Sequence, residues 1–222
     1  QLLTTLYQMI NIQQFTFNPF MENTYVVYDD TKECVIIDPG CYEKNEQQEL
    51  ASFIENKNLK VKYLLNTHCH IDHVLGNQFV KDHFNVTLLL HKDELVILNS
   101  NKAYAPSYGI PNYQEAYPDE YIDELDKIKF GDTELRVLFV PGHSPGHIAF
   151  YNKDRKICIS GDVLFQRSIG RTDLPGGDYD TLINSIHKKI FPLGDDMVVY
   201  CGHGPSTTVG EEKKYNPFCG LK

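Results

Sequence analysis

Between Thr67 and His73 the chain reads THCHIDH, which places three imidazoles and one carboxylate in the six positions from His68 to His73. A packed core gains little from so many polar rings, whereas imidazole and carboxylate together are the donors that hold zinc, iron or manganese. The order H-x-H-x-D-H offers more donors than one ion uses easily. At a strand end or in an extended loop alternate side chains point the same way, so His68 and His70 share a face and Cys69 turns away. Asp72 and His73, being adjacent, diverge and can face a second ion. The spacing therefore predicts a two-metal site. Paired cations lower the pKa of a shared water and polarise a carbonyl, which is the chemistry of hydrolysis.

Such a site needs elements that bring distant donors to one rim. Apolar runs of strand length fall at 14–17, 25–28, 34–37, 61–65 and 86–90, and again at 134–140, 148–151, 156–160 and 197–201. Helices are expected over 46–56, from Asp72 or His73 to about His83, and over 181–190, where Leu182, Ile183, Ile186 and Ile190 keep helical spacing. Four further donors stand just after a strand: Asp38 before Pro39-Gly40, His143 after Pro141-Gly142, Asp162 after Ser160-Gly161, and His203 after Cys201-Gly202. In layered α/β proteins the carboxyl ends of strands converge on the edge where sites are built. The segment 99–121 carries Pro106, Pro111, Pro118 and five tyrosines without a lasting period, so a long surface loop is expected there, as a lid or as a cover for the core.

The composition, 41% hydrophobic and 23% charged over 222 residues, is that of an ordinary globular chain. No Gly, Ser or Pro-rich linker divides it, and one domain over 1–222 is expected. The net charge of −9, with basic residues scattered among acids, argues against nucleic acid as a partner and for a small-molecule substrate. No apolar run approaches the roughly 20 residues that span a bilayer, so no membrane partner is expected. Residues 2–12 lack a basic flank, the first Lys or Arg being Lys32, so no secretory signal is expected. The six cysteines form no C-x-x-C pair, so reduced thiols in a cytoplasmic protein are the expectation. Oligomeric state has no signature in this sequence.

In order and interval, HCHIDH, PGHSPGH, SGD and GHG resemble the metallo-β-lactamase superfamily, and the likeness runs along nearly the whole chain. GDVLFQRSIGRTDLPGGD and the ending GHGPSTTVGEEKKYNPF are similar to the short glyoxalase II-like branch, the hydroxyacylglutathione hydrolase type. The resemblance implies a four-layer αβ/βα sandwich with the site at one edge of two sheets. It implies that His68, His70 and His143 hold one metal, that Asp72, His73 and His203 hold the other, and that Asp162 bridges them. Asp72 also orients a metal-bridging hydroxide that attacks a thioester or related ester, and Asp38 accepts a hydrogen bond from a ligand imidazole. Zinc is the first expectation for both ions, and the same thiolate-free donor set accepts iron or manganese.

Arg171, in Gly170-Arg171-Thr172-Asp173, either pairs with Asp173 or meets an anionic substrate. His147 follows His143 by four positions, but Pro145-Gly146 forbids a helix there, and a role in fixing a turn or a ligand is expected instead. The longer glyoxalase II enzymes carry a C-terminal helical domain for glutathione, whereas fewer than twenty residues follow His203 here. Two rivals remain: an iron-dependent persulfide dioxygenase, which would use His68, His143 and Asp162 at one iron, and a non-catalytic metal-binding protein.

Overall fold

The computed structural model describes residues 9–221. Most of the segment read as free of a secretory signal therefore lies outside the described residues. Strands β1 (Asn11–Phe17), β2 (Glu22–Tyr28) and β3 (Glu33–Ile37) form an antiparallel meander. Helix α1 (Lys44–Asn56) then crosses to β4 (Lys60–Leu65), which lies parallel to β3. Its start is fixed by a capping box between Glu43 and Glu46, and Leu50, Ala51 and Ile54 form its buried face. Helices α2 (Ile71–Val74) and α3 (Asn77–Phe84) lead to β5 (Thr87–Leu90), and α4 (Leu95–Tyr104) leads to β6 (Glu120–Tyr121), both strands continuing the sheet in parallel.

The second sheet begins with three antiparallel strands, β7 (Lys127–Phe130), β8 (Thr133–Phe139) and β9 (Ile148–Asn152), and continues through β10 (Ile157–Gly161). A crossover follows, made of the hairpin β11 (Leu164–Phe165) and β12 (Ser168–Ile169) and of α5 (Tyr179–Ser185), which widens into a π turn over Ile186–Ile190. It delivers β13 (Val198–Cys201) parallel to β10, with β14 (Thr207–Thr208) at the edge and α6 (Val209–Tyr215) after it. Each main sheet has six strands.

Strand alternation explains the layering. Val35 and Ile37 of β3 face Ile148, Phe150, Ile157 and Ile159 of the other sheet, while Cys34 and Ile36 turn outward to Leu50, Ile54 and Val80 of the helices. Cys158 and Val199 likewise turn outward to Leu182, Ile186 and Ile190. Three apolar interfaces thus separate four layers, helix, sheet, sheet and helix, as the resemblance implied. Since β3 and β4 run parallel, and β8, β10 and β13 share one direction, the carboxyl ends that carry the donors meet along one edge. At that edge the Asn23 amide donates to the carbonyls of Cys201 and Gly204, tying the two sheets together.

Two expectations are corrected. The segment 99–121 is not one long loop: α4 runs to Tyr104 and a 3-10 turn covers Ala105–Tyr108, with irregular chain only from there to β6. Burial of Ile97, Leu98 and Asn101 outweighs the weak helix preference of Asn99-Ser100-Asn101. The helix expected from Asp72 to His83 is two helices, broken at Leu75-Gly76. There Gly76 donates to the Pro39 carbonyl at 2.7 Å, and a Cβ on it would lie 2.8 Å from the same oxygen.

Candidate metal centre

The turn after β4 carries His68 and His70, and α2 carries Asp72 and His73. Loops after β8, β10 and β13 bring His143, Asp162 and His203 against them. One donor atom from each of His68, His70 and His143 falls within 4.8 Å of the others, and the same holds for Asp72, His73 and His203. Asp162 lies between the two sets. Its Oδ1 is 3.4 Å from His73 Nε2, and its Oδ2 is 3.5 Å from both His143 Nε2 and His203 Nε2. The seven side chains named from the sequence are thus gathered at one place.

Hydrogen bonds from the outer ring nitrogens fix which nitrogen of each ring faces inward. His143 Nδ1–H donates to the Arg171 carbonyl at 2.7 Å, and His203 Nδ1–H to the Met21 carbonyl at 3.2 Å. His73 Nδ1 sits 3.1 Å from Asp38 Oδ2. The Thr67 hydroxyl donates to Asp38, so its oxygen can accept from His68 Nδ1 at 3.1 Å. Each of these four rings thus turns its Nε2 towards the centre. His70 instead presents Nδ1, 2.9 Å from His143 Nε2.

Asp38 is a third donor close to His68 and His73. Both its oxygens are already occupied by Thr67 and His73, which suits an acceptor that steers His73. His147 is outside both donor sets. Its ring stacks on His68 at 4.6 Å and its Nε2 accepts from the Asp162 N–H at 3.1 Å, so it holds the Asp162 turn.

Several buried atoms have no hydrogen-bond partner, among them Nε2 of His68 and His73 and Oδ1 of Asp162. For His68 Nε2, which meets no acceptor or donor, that costs about 1–3 kcal/mol. Cations shared between these atoms would remove that cost, and the donor set, imidazole and carboxylate without thiolate, fits divalent zinc, iron or manganese. Cys69 is buried and belongs to neither set. The two halves differ electrically. Burial, with the neighbouring rings, pushes His68 well below its ordinary pKa and His70 down to about 3, and burial also lowers His143. At His73 burial acts in the same sense, but the Asp72 and Asp162 carboxylates outweigh it and hold the ring well above its usual value. His203 is raised against its own burial by Asp72 and Asp162.

Close approach shapes the loops. A Cβ on Gly202 would overlap Asp162 Oδ1 and lie 2.9 Å from His73 Cε1. Gly142 takes φ +130° and packs against the Leu182 backbone at the start of α5. Beside the donors opens a cavity of about 580 Å³ lined by Phe20, Ile97, Tyr104, Tyr108 and Phe165 and by Arg171. The Arg171 side chain forks onto Asp173 through Nε and Nη2, both at 2.7 Å, while its carbonyl serves His143. Sequence reasoning weighed that side chain and missed the carbonyl. It also missed Glu94 and Glu22, both fully buried beside the centre, because isolated glutamates give no local pattern.

A model of the metallo-beta-lactamase superfamily matches residues 17–203. The chain is 40% identical over 215 residues to the hydroxyacylglutathione hydrolase GloC of Haemophilus influenzae, covering 96% of this chain and 100% of that one. Among solved structures, the BLEG-1 B3 metallo-beta-lactamase is 37% identical with a TM-score of 0.86, over 94% of this chain and 99% of its own. TTHA1623, solved in a di-iron-bound form, is 34% identical with a TM-score of 0.83, over 93% and 99%. By this match, by its four layers and by its histidine and aspartate donor sets, the chain belongs to the metallo-β-lactamase superfamily and stands with the glyoxalase II-like hydrolases within it.

Proposed function

We propose that the chain is a binuclear metal-dependent hydrolase that cleaves a thioester, of the hydroxyacyl-thiol type, or a related ester. One observation carries the reading: the Asp162 carboxylate reaches both donor sets at once, lying 3.4 Å from His73 Nε2 and 3.5 Å from His203 Nε2 of one and 3.5 Å from His143 Nε2 of the other. His68, His70 and His143 would hold one ion and Asp72, His73 and His203 the second, with Asp162 common to both. Zinc is the proposed ion, and iron or manganese suits the same donors. When bound, the pair supplies a water of lowered pKa and polarises the substrate carbonyl.

The chain's own residues do the rest. Asp72 Oδ2 lies 3.1 Å from His203 Nε2 and 3.6 Å from His73 Nε2, so its carboxylate can orient the attacking water and take up its proton. Phe20, Ile97 and Phe165 give the cavity beside the donors an apolar wall against which the acyl or thiol part of a substrate can pack. A thiolate leaves with little need for protonation, so no separate general acid is required. The 40% likeness to a hydroxyacylglutathione hydrolase supports the thioester class. A small-molecule substrate fits the cavity, and among the described residues no helix is long and apolar enough to cross a membrane.

The Asp72→Ala variant tests the reading when assayed for thioester hydrolysis and for oxygen uptake with a persulfide. Hydrolysis by the wild type that falls by at least about 100-fold in the variant is expected. Full hydrolytic activity in the variant contradicts it, and oxygen uptake by the wild type with one iron per chain favours the dioxygenase instead.

A further inference from the structure

Cys69 lies between His68 and His70, and both polar groups of its backbone are held from α4, by its N-cap residue Glu94 and by Asn101 within it. Its N–H donates to Glu94 Oε2 at 2.7 Å, and its carbonyl accepts from Asn101 Nδ2 at 2.8 Å. The other oxygen of Glu94 accepts from the Gly146 N–H at 2.7 Å and from the Ser144 hydroxyl, both in the loop that follows His143. Glu94 is fully buried and Asn101 is 6% exposed, so water does not compete for these bonds. One carboxylate therefore joins the His68-His70 turn to the His143 loop. Asn101, with Ile97, Ser100 and Tyr104 of the same helix, also lines the cavity.

We propose that Glu94 is a positioning residue that sets the spacing of His68, His70 and His143, and that with Asn101 it couples this donor set to the α4 wall of the substrate cavity. The inference rests on the reading that these three histidines hold a metal. The reason for a carboxylate is geometric. Each Glu94 oxygen accepts from a backbone N–H, so the amide nitrogen of a glutamine would meet one of those groups donor to donor. Either the Cys69 turn or the 144–146 loop must then move. The Asp72, His73 and His203 set has no hydrogen bond to Glu94 and should be spared.

Zinc competition titrations of the metal-free protein separate the two sets. In an Asp72→Ala background, which leaves the three-histidine set, adding Glu94→Gln should raise the zinc dissociation constant by about 10–100-fold. In a His70→Ala background, which leaves the other set, the same substitution should change it by less than about threefold. Equal weakening in both backgrounds means general loosening and overturns the proposal, as does a change below about threefold in the first. Should Glu94→Gln fail to fold, Ser144→Ala removes one of the three hydrogen bonds, and a selective loss of about 3–10-fold is expected. An unselective or absent loss in that variant overturns the proposal equally. If neither the Asp72→Ala nor the His70→Ala protein binds zinc, the metal-centre reading itself fails, a result distinct from the others.

Discussion

At the scale of single residues, the centre is a set of rings whose outer nitrogens are fixed so that the inner ones converge. Asp38 is the plainest case, since it holds Thr67 and His73 at once from a left-handed turn at φ +49°. Asp38→Ala should weaken metal affinity by about 10–100-fold in a zinc titration, and unchanged affinity would show that His73 is oriented by other contacts. Proton binding makes a second prediction. His68, His70, His143 and His147 have folded pKa values below the ordinary imidazole value near 6.5, so the unfolded chain takes up protons that the folded one refuses. Their contribution is complete above about pH 6.5 and is lost as the pH falls towards the folded value of about 3 at His70. The metal-free protein should therefore lose stability on acidification through that window, as read by denaturant midpoints at several pH values. Constant midpoints would mean that these rings are not buried neutral. The donors that the structure gathers were legible because histidines and aspartates fall at telling spacings. Glu94 was not, because its partners lie 25 and 50–52 positions away in the chain.

At the scale of elements, the strands that end in donors were legible from apolar runs, whereas the short elements around the cavity were not. β11 and β12 have two residues each, too few for any period to show, and they are held from outside. The Asn216 amide donates to the Ser168 and Phe165 carbonyls and to Glu212, which itself accepts from Arg167 N–H and Thr207. The Asn-Pro-Phe ending that helped mark the family thus supports the cavity wall bearing Phe165, Ser168 and Ile169. Asn216→Ala should cost about 1–3 kcal/mol in denaturant unfolding and raise KM more than it lowers kcat; unchanged KM would place the residue outside substrate binding. The second half of α4, 99–104, reads as loop in the sequence because its residues are held by burial rather than by propensity. Gly202→Ala pushes a methyl into Asp162 and His73, so metal content should fall well below that of the wild type by elemental analysis. Full metal content would show that the β13 loop yields without disturbing the donors.

At the scale of the whole molecule, two sheets stacked through Phe150, Ile37 and Val35 hold loops from both halves in register at one edge. Phe150 is fully buried between the sheets, and Phe150→Ala should cost about 3–5 kcal/mol, a large share of a typical domain stability. A cost below about 1 kcal/mol would mean that the intersheet layer is loosely packed. The four-layer arrangement followed from motif order more than from periodicity, since nothing local in the sequence says which faces of two sheets meet. The same edge that joins the sheets joins the donor sets: β4 and α2 supply four side chains, and β8, β10 and β13 supply three. The central claim is that this edge holds two ions, and counting metal per chain in purified wild type and Asp72→Ala tests it most directly. Two ions falling to one is the predicted result, and the same count in both proteins would contradict it.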